Sequence, residues 1–230
     1  MTDKNPPLKN LYPFLHGEKQ SPDNLNAALL ESVAQKAAHS VAIKQSFFKQ
    51  HAQAVVDTAK AIAEVYLGGG KMLSMGNGGS SCDAAHFAVE FQHPITAGRP
   101  ALPVINLIMD TAMLSAVGND VGFKHIFVRQ LEAHAKAGDG LIGISTSGNS
   151  ENLMAAFRKA RKMGLTTIGL AGNDGGDMQT SGLLNHCLIV DTDSIHRIQE
   201  SHVATYHILW DLTHTLLADE RGGLNTGATS

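Results

Sequence analysis

A chain of 230 residues, 43% of them hydrophobic and 17% charged, is long enough for one full α/β domain and short for two. Its net charge of −3, without any Lys/Arg run, argues against a broad nucleic-acid surface, and no apolar window is long enough to predict a membrane span. The opening MTDKNPPLKN lacks the apolar core of a secretion signal, which predicts a cytoplasmic protein. Cys82 and Cys187 are too few for a disulfide framework and are expected as two buried thiols. Histidine is the outlier: 12 residues, against three Tyr and one Trp, so what matters is whether they are scattered or arranged.

Residues 1–24 are polar, carry Pro6, Pro7, Pro13 and Pro22, and show no sustained periodicity, which predicts an arm. Residues 25–230 are expected as a single domain, with helical additions over 25–67 at its start. From Leu25 to Tyr66 apolar residues recur at spacings of three and four, until Gly68-Gly69-Gly70 stops the helix. Five short apolar runs follow, Met72–Met75, Val104–Met109, Leu141–Ser145, Thr167–Ala171 and Cys187–Val190. They lack polar/apolar alternation, as strands buried on both faces do. Amphipathic stretches at 81–92, 111–117, 123–137 and 150–163 separate them, and a long helix is expected over 196–218. The alternation predicts an α/β fold: a doubly wound, five-stranded parallel sheet flanked by helices, with an N-terminal helical extension.

Ligands of such sheets bind beyond the carboxyl ends of the strands, so the turns there carry the functional signal. The first strand runs into Gly76-Asn77-Gly78-Gly79-Ser80-Ser81 and then a helix. Glycines admit a ligand close to the backbone, and the helix start offers free N–H groups. The loop is neither a dinucleotide fingerprint, since Ser81 stands at the third glycine, nor a P-loop. The third strand ends in Ser145-Thr146-Ser147-Gly148-Asn149-Ser150 at another helix start. One hydroxyl, Ser147 or Ser150, suffices as a cap; four point to a phosphate monoester held by neutral donors and the helix dipole. A further turn, Val117-Gly118-Asn119-Asp120, offers Asp120 either to substrate hydroxyls or as a cap on a helix near Gly122.

His86 and Glu90 lie four apart, on one face of the helix opened by the glycine loop, where they can share a metal or act as an acid/base pair. The last helix carries His196, Gln199, Glu200, His202, His207 and His214. Its spacing leaves the partners open: Gln199 and His207 are about 80° and roughly 12 Å apart on an ideal helix.

Taken together, GNGGSSCDAAHFAVEF, VGNDVGF, GISTSGNSENLMAAFRKARKMG, GNDGG and RIQESHVATYHIL resemble the SIS-domain sugar-phosphate family, and within it the bacterial phosphoheptose isomerases, over Leu25 to Leu217. The resemblance implies metal ligands at His86, Glu90, Gln199 and His207, holding one Zn²⁺ per subunit. It implies phosphate contacts at Ser145, Thr146, Ser147 and Ser150, and sugar contacts at Asn77, Gly78, Gly79, Ser80, Asn119 and Asp120, with Glu90 and Gln199 also facing substrate. It further implies a homotetramer with active sites at subunit interfaces. The implied reaction is the aldose–ketose isomerisation of sedoheptulose 7-phosphate through an enediol, with Glu90 as base and His207 as acid, as the first step of activated heptose biosynthesis. Two features depart from the family pattern: Gln92-His93-Pro94-Ile95 stands where relatives carry an arginine, with Arg99 further on, and His196 precedes RIQE. The alternatives are the same chemistry on another sugar phosphate, or a metal-free SIS-domain adaptor that binds a replication initiator. The adaptor branch lacks the glutamate and second histidine present here as Glu90 and His207.

Overall fold

A computed structural model describes residues 22–220, with side chains from 25 to 219. The expected arm, 1–24, therefore lies outside the described residues, apart from the backbone of 22–24. Helix α1 already begins there, at Pro22, and runs unbroken to Leu67. A proline suits a first helical position because its φ is fixed and its missing N–H would have no partner. The chain divides into two compact units, one ending at Val41 and one starting at Ala42. In the first, Leu25, Leu29, Leu30 and Val33 are exposed.

The second unit holds β1 (Met72–Gly76), α2 (Gly79–Gln92), β2 (Val104–Asn106), α3 (Thr111–Asp120), α4 (Ile126–His134), β3 (Gly140–Ser145), α5 (Glu151–Met163), β4 (Thr166–Gly172), α6 (Gly176–Thr180), β5 (His186–Val190) and α7 (Ile195–Glu220). The five strands are all parallel, in the order β2-β1-β3-β4-β5. Every residue of β1 and β3 is buried, which explains why their sequences lack polar/apolar alternation. Alternate residues enter two cores: Ile142 and Ile144 join Val55, Ile62, Phe87, Phe91 and Leu209. Leu73, Met75 and Leu141 join Phe127, Leu131, Leu153 and Phe157. The second half of α1, with α2 and α7, thus covers one face, and α4 and α5 cover the other, the doubly wound layering expected.

Three local differences from the sequence expectation have physical causes. β2 stops at Asn106, whose side-chain oxygen accepts from Ile108 N at 3.1 Å and turns the chain out of the strand. The helix expected over 123–137 is a 3₁₀ turn (Phe123–His125) followed by α4, which ends where Ala135 becomes extended. The five-residue α6 is too short for any periodic signal.

From β1 the chain moves outward to β2, then returns across β1 to add β3, β4 and β5. The order reverses between β1 and β3, where the connections leave in opposite directions and a crevice opens at the carboxyl ends. The glycine loop and the serine loop both leave the sheet there. The amino ends of β1 and β3 are tied by Asp139, fully buried, which accepts from Lys71 Nζ at 2.7 Å, Lys71 N at 3.0 Å and Lys136 N at 2.9 Å.

Candidate metal centre and phosphate loop

The two loops at the crevice are bound to each other. Asn77 and Asn152 form a reciprocal amide pair, each Nδ2 donating to the other's Oδ1 at 2.9 Å. Asn152 is 3% exposed, so the pair is shielded from water and fixes the glycine loop to the first turn of α5. On the far side, Asn149 Oδ1 accepts from Asp177 N at 2.9 Å. Gly148 has φ +67, and a Cβ there would stand 2.0 Å from Gly175 O, so both its conformation and its packing require glycine. Within the serine loop Ser145 Oγ and Ser150 Oγ are 3.1 Å apart, Gly148 N donates to Ser145 Oγ at 3.2 Å and Asn149 N to Ser147 Oγ at 3.3 Å. Ser150 is the residue before α5, yet its hydroxyl makes no capping bond and turns to Ser145 instead. Thr146 is half-buried and Ser147 exposed, leaving hydroxyls at the mouth of a preorganised loop.

Ser80 is buried behind the glycine loop and Gly78 is exposed. A Cβ on Gly79 would lie 2.1 Å from Gln199 Nε2, so glycine is what lets this α7 amide reach the loop.

His86 and Glu90 stand on consecutive turns of α2, with His86 Nε2 and Glu90 Oε1 3.0 Å apart. From α7, His207 brings its Nε2 to 3.4 Å from His86 Nε2. One ligand atom from each of the three lies within 4.8 Å of the other two. Burial, with His86 adding to it and Glu90 opposing it, lowers the His207 pKa below the usual imidazole value.

This donor set fits a divalent transition ion. Two imidazole nitrogens at about 2.05 Å from a tetrahedral ion are about 3.3 Å apart, which the His86–His207 separation matches. Two imidazoles and a carboxylate are also ordinary zinc ligands, and a four-coordinate ion would take one further donor.

A protein-family model described as SIS domain matches residues 37–172. The phosphoheptose isomerase of Clostridium acetobutylicum is 42% identical over 187 residues, covering 79% of this chain and 93% of the relative. That of Aquifex aeolicus is 40% identical over 191 residues, covering 83% and 99%. This chain belongs to the SIS-domain phosphoheptose isomerase family. It is thereby an enzyme, of the sugar-phosphate isomerase class. Two solved structures of family members align closely: phosphoheptose isomerase from Neisseria gonorrhoeae, with TM-score 0.75 and 37% identity over 81% of this chain and 99% of that one, and from Francisella tularensis, with TM-score 0.77 and 34% identity over 81% and 98%.

Of the residues assigned by family resemblance, the structure brings His86, Glu90 and His207 together, sets Gln199 against Gly79 and joins Asn77 to Asn152. Asn119 and Asp120 are exposed in the last turn of α3, where Asn119 Nδ2 donates to Asp120 Oδ1 at 2.8 Å. Asp120 does not cap the 3₁₀ turn, which starts after Gly122 without a side-chain cap. Arg99, on the segment that departs from the family pattern, pairs with Asp211 at 2.5 Å and stacks 4.3 Å over Trp210, one turn beyond His207 on α7.

The expectation of two buried thiols is corrected: Cys82 is exposed, because the buried stripe of α2 runs through Ser80, Asp83, Ala84, Phe87, Ala88 and Phe91 and leaves position 82 outside it. Cys187 is half-buried, and burial raises its thiol pKa to about 11. Among the other histidines, His93 and His196 are exposed and His202 is buried.

Three residues around the site lie within the matching stretches, but no role attaches to them from the sequence. Asn152 lies inside the matched segment but reads as an ordinary helix residue. Asp83 is 8% exposed with Oδ2 unpartnered, and burial raises its pKa to about 6, partly offset by His86. Its spacing from His86, i to i+3, is the signal that would have found it. Tyr206 is the third.

Proposed function

We propose that this enzyme converts sedoheptulose 7-phosphate to D-glycero-D-manno-heptose 7-phosphate, with one Zn²⁺ per subunit, as the first step of activated heptose biosynthesis. The convergence of His86, Glu90 and His207 from two helices, the first of them the helix that the glycine loop opens, carries this reading. It also favours catalysis over the metal-free adaptor alternative. His86, Glu90 and His207 would hold the ion, with Gln199 as the further oxygen donor that the family resemblance assigns. When bound, Zn²⁺ would supply Lewis-acid polarisation of the substrate carbonyl.

The open-chain ketose places its phosphate on Ser145, Thr146, Ser147 and Ser150, where hydroxyls and the positive end of α5 balance its charge without a lysine or arginine in the loop. Asn77, Gly78, Gly79, Ser80, Asn119, Asp120 and Gln199 contact the sugar. Glu90 takes the proton from C1 while O2 is protonated from His207, giving the 1,2-enediol. His207 then takes the O1 proton as Glu90 returns its proton to C2, giving the aldose and restoring both side chains. Glu90 Oε1 faces His86 Nε2, which leaves Oε2 as the oxygen for the C1 proton.

The enzyme is proposed to be a cytoplasmic homotetramer with active sites at subunit interfaces. The exposed apolar side chains Val89, Ile95 and Met109, beside α2 and β2, support burial against further copies, and a single-chain mass in sedimentation would contradict it. No described helix is long and apolar enough to cross a membrane.

The test is aldose phosphate formation from sedoheptulose 7-phosphate by metal-loaded protein. Glu90→Gln and His207→Ala are each expected to lower kcat by about 10²- to 10⁴-fold. Near-normal turnover in either variant contradicts its assignment.

A further inference from the structure

Tyr206 immediately precedes His207 on α7 and is 1% exposed. Its hydroxyl lies 2.7 Å from Nδ1 of His86, the ring nitrogen directed away from Glu90 and His207. Its ring meets both histidines edge-on, at centroid distances of 5.2 Å to His86 and 5.0 Å to His207. We propose that Tyr206 is a positioning residue of the metal centre, whose hydroxyl holds the His86 ring with Nε2 facing the ion. The inference rests on the metal reading given under Proposed function.

A neutral imidazole carries one proton, and the partner of the remote nitrogen decides which nitrogen keeps its lone pair for a metal. A carboxylate or carbonyl at Nδ1 would only accept, whereas a phenol can donate or accept. Glu90 Oε1, a carboxylate oxygen that only accepts, stands 3.0 Å from His86 Nε2, and in the neutral tautomer that donates to it Nδ1 receives the Tyr206 O–H. An ion on Nε2 would leave the ring proton on Nδ1, from which the Tyr206 oxygen would accept a hydrogen bond. His86 is half-exposed at its side chain, so packing alone does not fix its ring, and this hydroxyl is the polar tie at Nδ1, the nitrogen remote from Glu90 and His207.

Tyr206→Phe removes the hydroxyl and keeps the ring that packs against both histidines. The experiment measures Zn²⁺ affinity by competition with a chromophoric chelator, the visible absorption of the Co²⁺-loaded protein, and the melting temperature with and without Zn²⁺. The variant is expected to lose about 10- to 100-fold in Zn²⁺ affinity. Its Co²⁺ spectrum is expected to change, and its melting temperature to fall further in the Zn²⁺-loaded protein than in the metal-free one. Wild-type affinity in Tyr206→Phe, or a melting temperature lowered equally with and without metal at unchanged affinity, overturns the role of Tyr206 and leaves the metal reading standing. Wild-type protein that takes up no Zn²⁺ overturns the metal reading and the role of Tyr206 together.

Discussion

His202 shows how one histidine of the last helix serves the fold and not the chemistry. It is 1% exposed and donates from Nε2 to Ala171 O at 3.0 Å, tying α7 to the end of β4. Burial lowers its pKa to about 4, with the carbonyl bond opposing, so it folds neutral. The unfolded chain takes up a proton at this position near pH 6.5 and the native one only near pH 4, so the stability it contributes is present above pH 6.5 and lost as pH falls through that window. Between pH 7 and pH 5 this group alone is expected to cost about 2 kcal/mol. Denaturant unfolding at the two pH values checks it: His202→Gln should lose that part of the dependence, and an unchanged pH profile contradicts the assignment. His207, five residues on, also has a lowered pKa but reaches into the centre. The excess of histidine was thus a poor clue by itself, and the positions of His86 and His207 on two facing helices were the informative part.

At the scale of elements, the glycine loop, the serine loop and the 173–177 turn act as one unit because Asn77–Asn152 and Asn149–Asp177 tie them together. Asn152→Ala leaves the Asn77 amide without its partner, at a cost of about 1–3 kcal/mol in stability. With the serine loop no longer fixed to the glycine loop, kcat/KM is expected to fall by about 10- to 100-fold. Zn²⁺ affinity should stay unchanged, because His86, Glu90 and His207 do not depend on this pair; steady-state kinetics beside a metal titration separate the two effects. The elements themselves were largely legible, since β1 and β3 are buried on both faces and α2 carries a clear apolar stripe. Contacts between distant segments were not: nothing in local periodicity pairs Asn77 with Asn152 or Tyr206 with His86, 75 and 120 residues apart. Gln199 reached the glycine loop for a related reason. The missing Cβ of Gly79 admits it, and helix spacing alone cannot reveal such an approach.

At the scale of the molecule, the reversal of strand order between β1 and β3 brings two loops to one crevice, and α2 and α7 carry the three metal-ligand candidates to each other. Asp139 and Lys71 clamp the amino ends of β1 and β3, so the polar ties that hold the sheet together there are separate from those that shape the site. The central claim is that this arrangement isomerises a heptose phosphate with help from a bound ion. It is tested most directly by following aldose phosphate formation from sedoheptulose 7-phosphate with one preparation, before chelation, after chelation and after return of Zn²⁺. The account predicts turnover, its loss on chelation and its recovery with Zn²⁺; absent turnover in the Zn²⁺-loaded protein, or turnover indifferent to chelation that removes the ion, would contradict it.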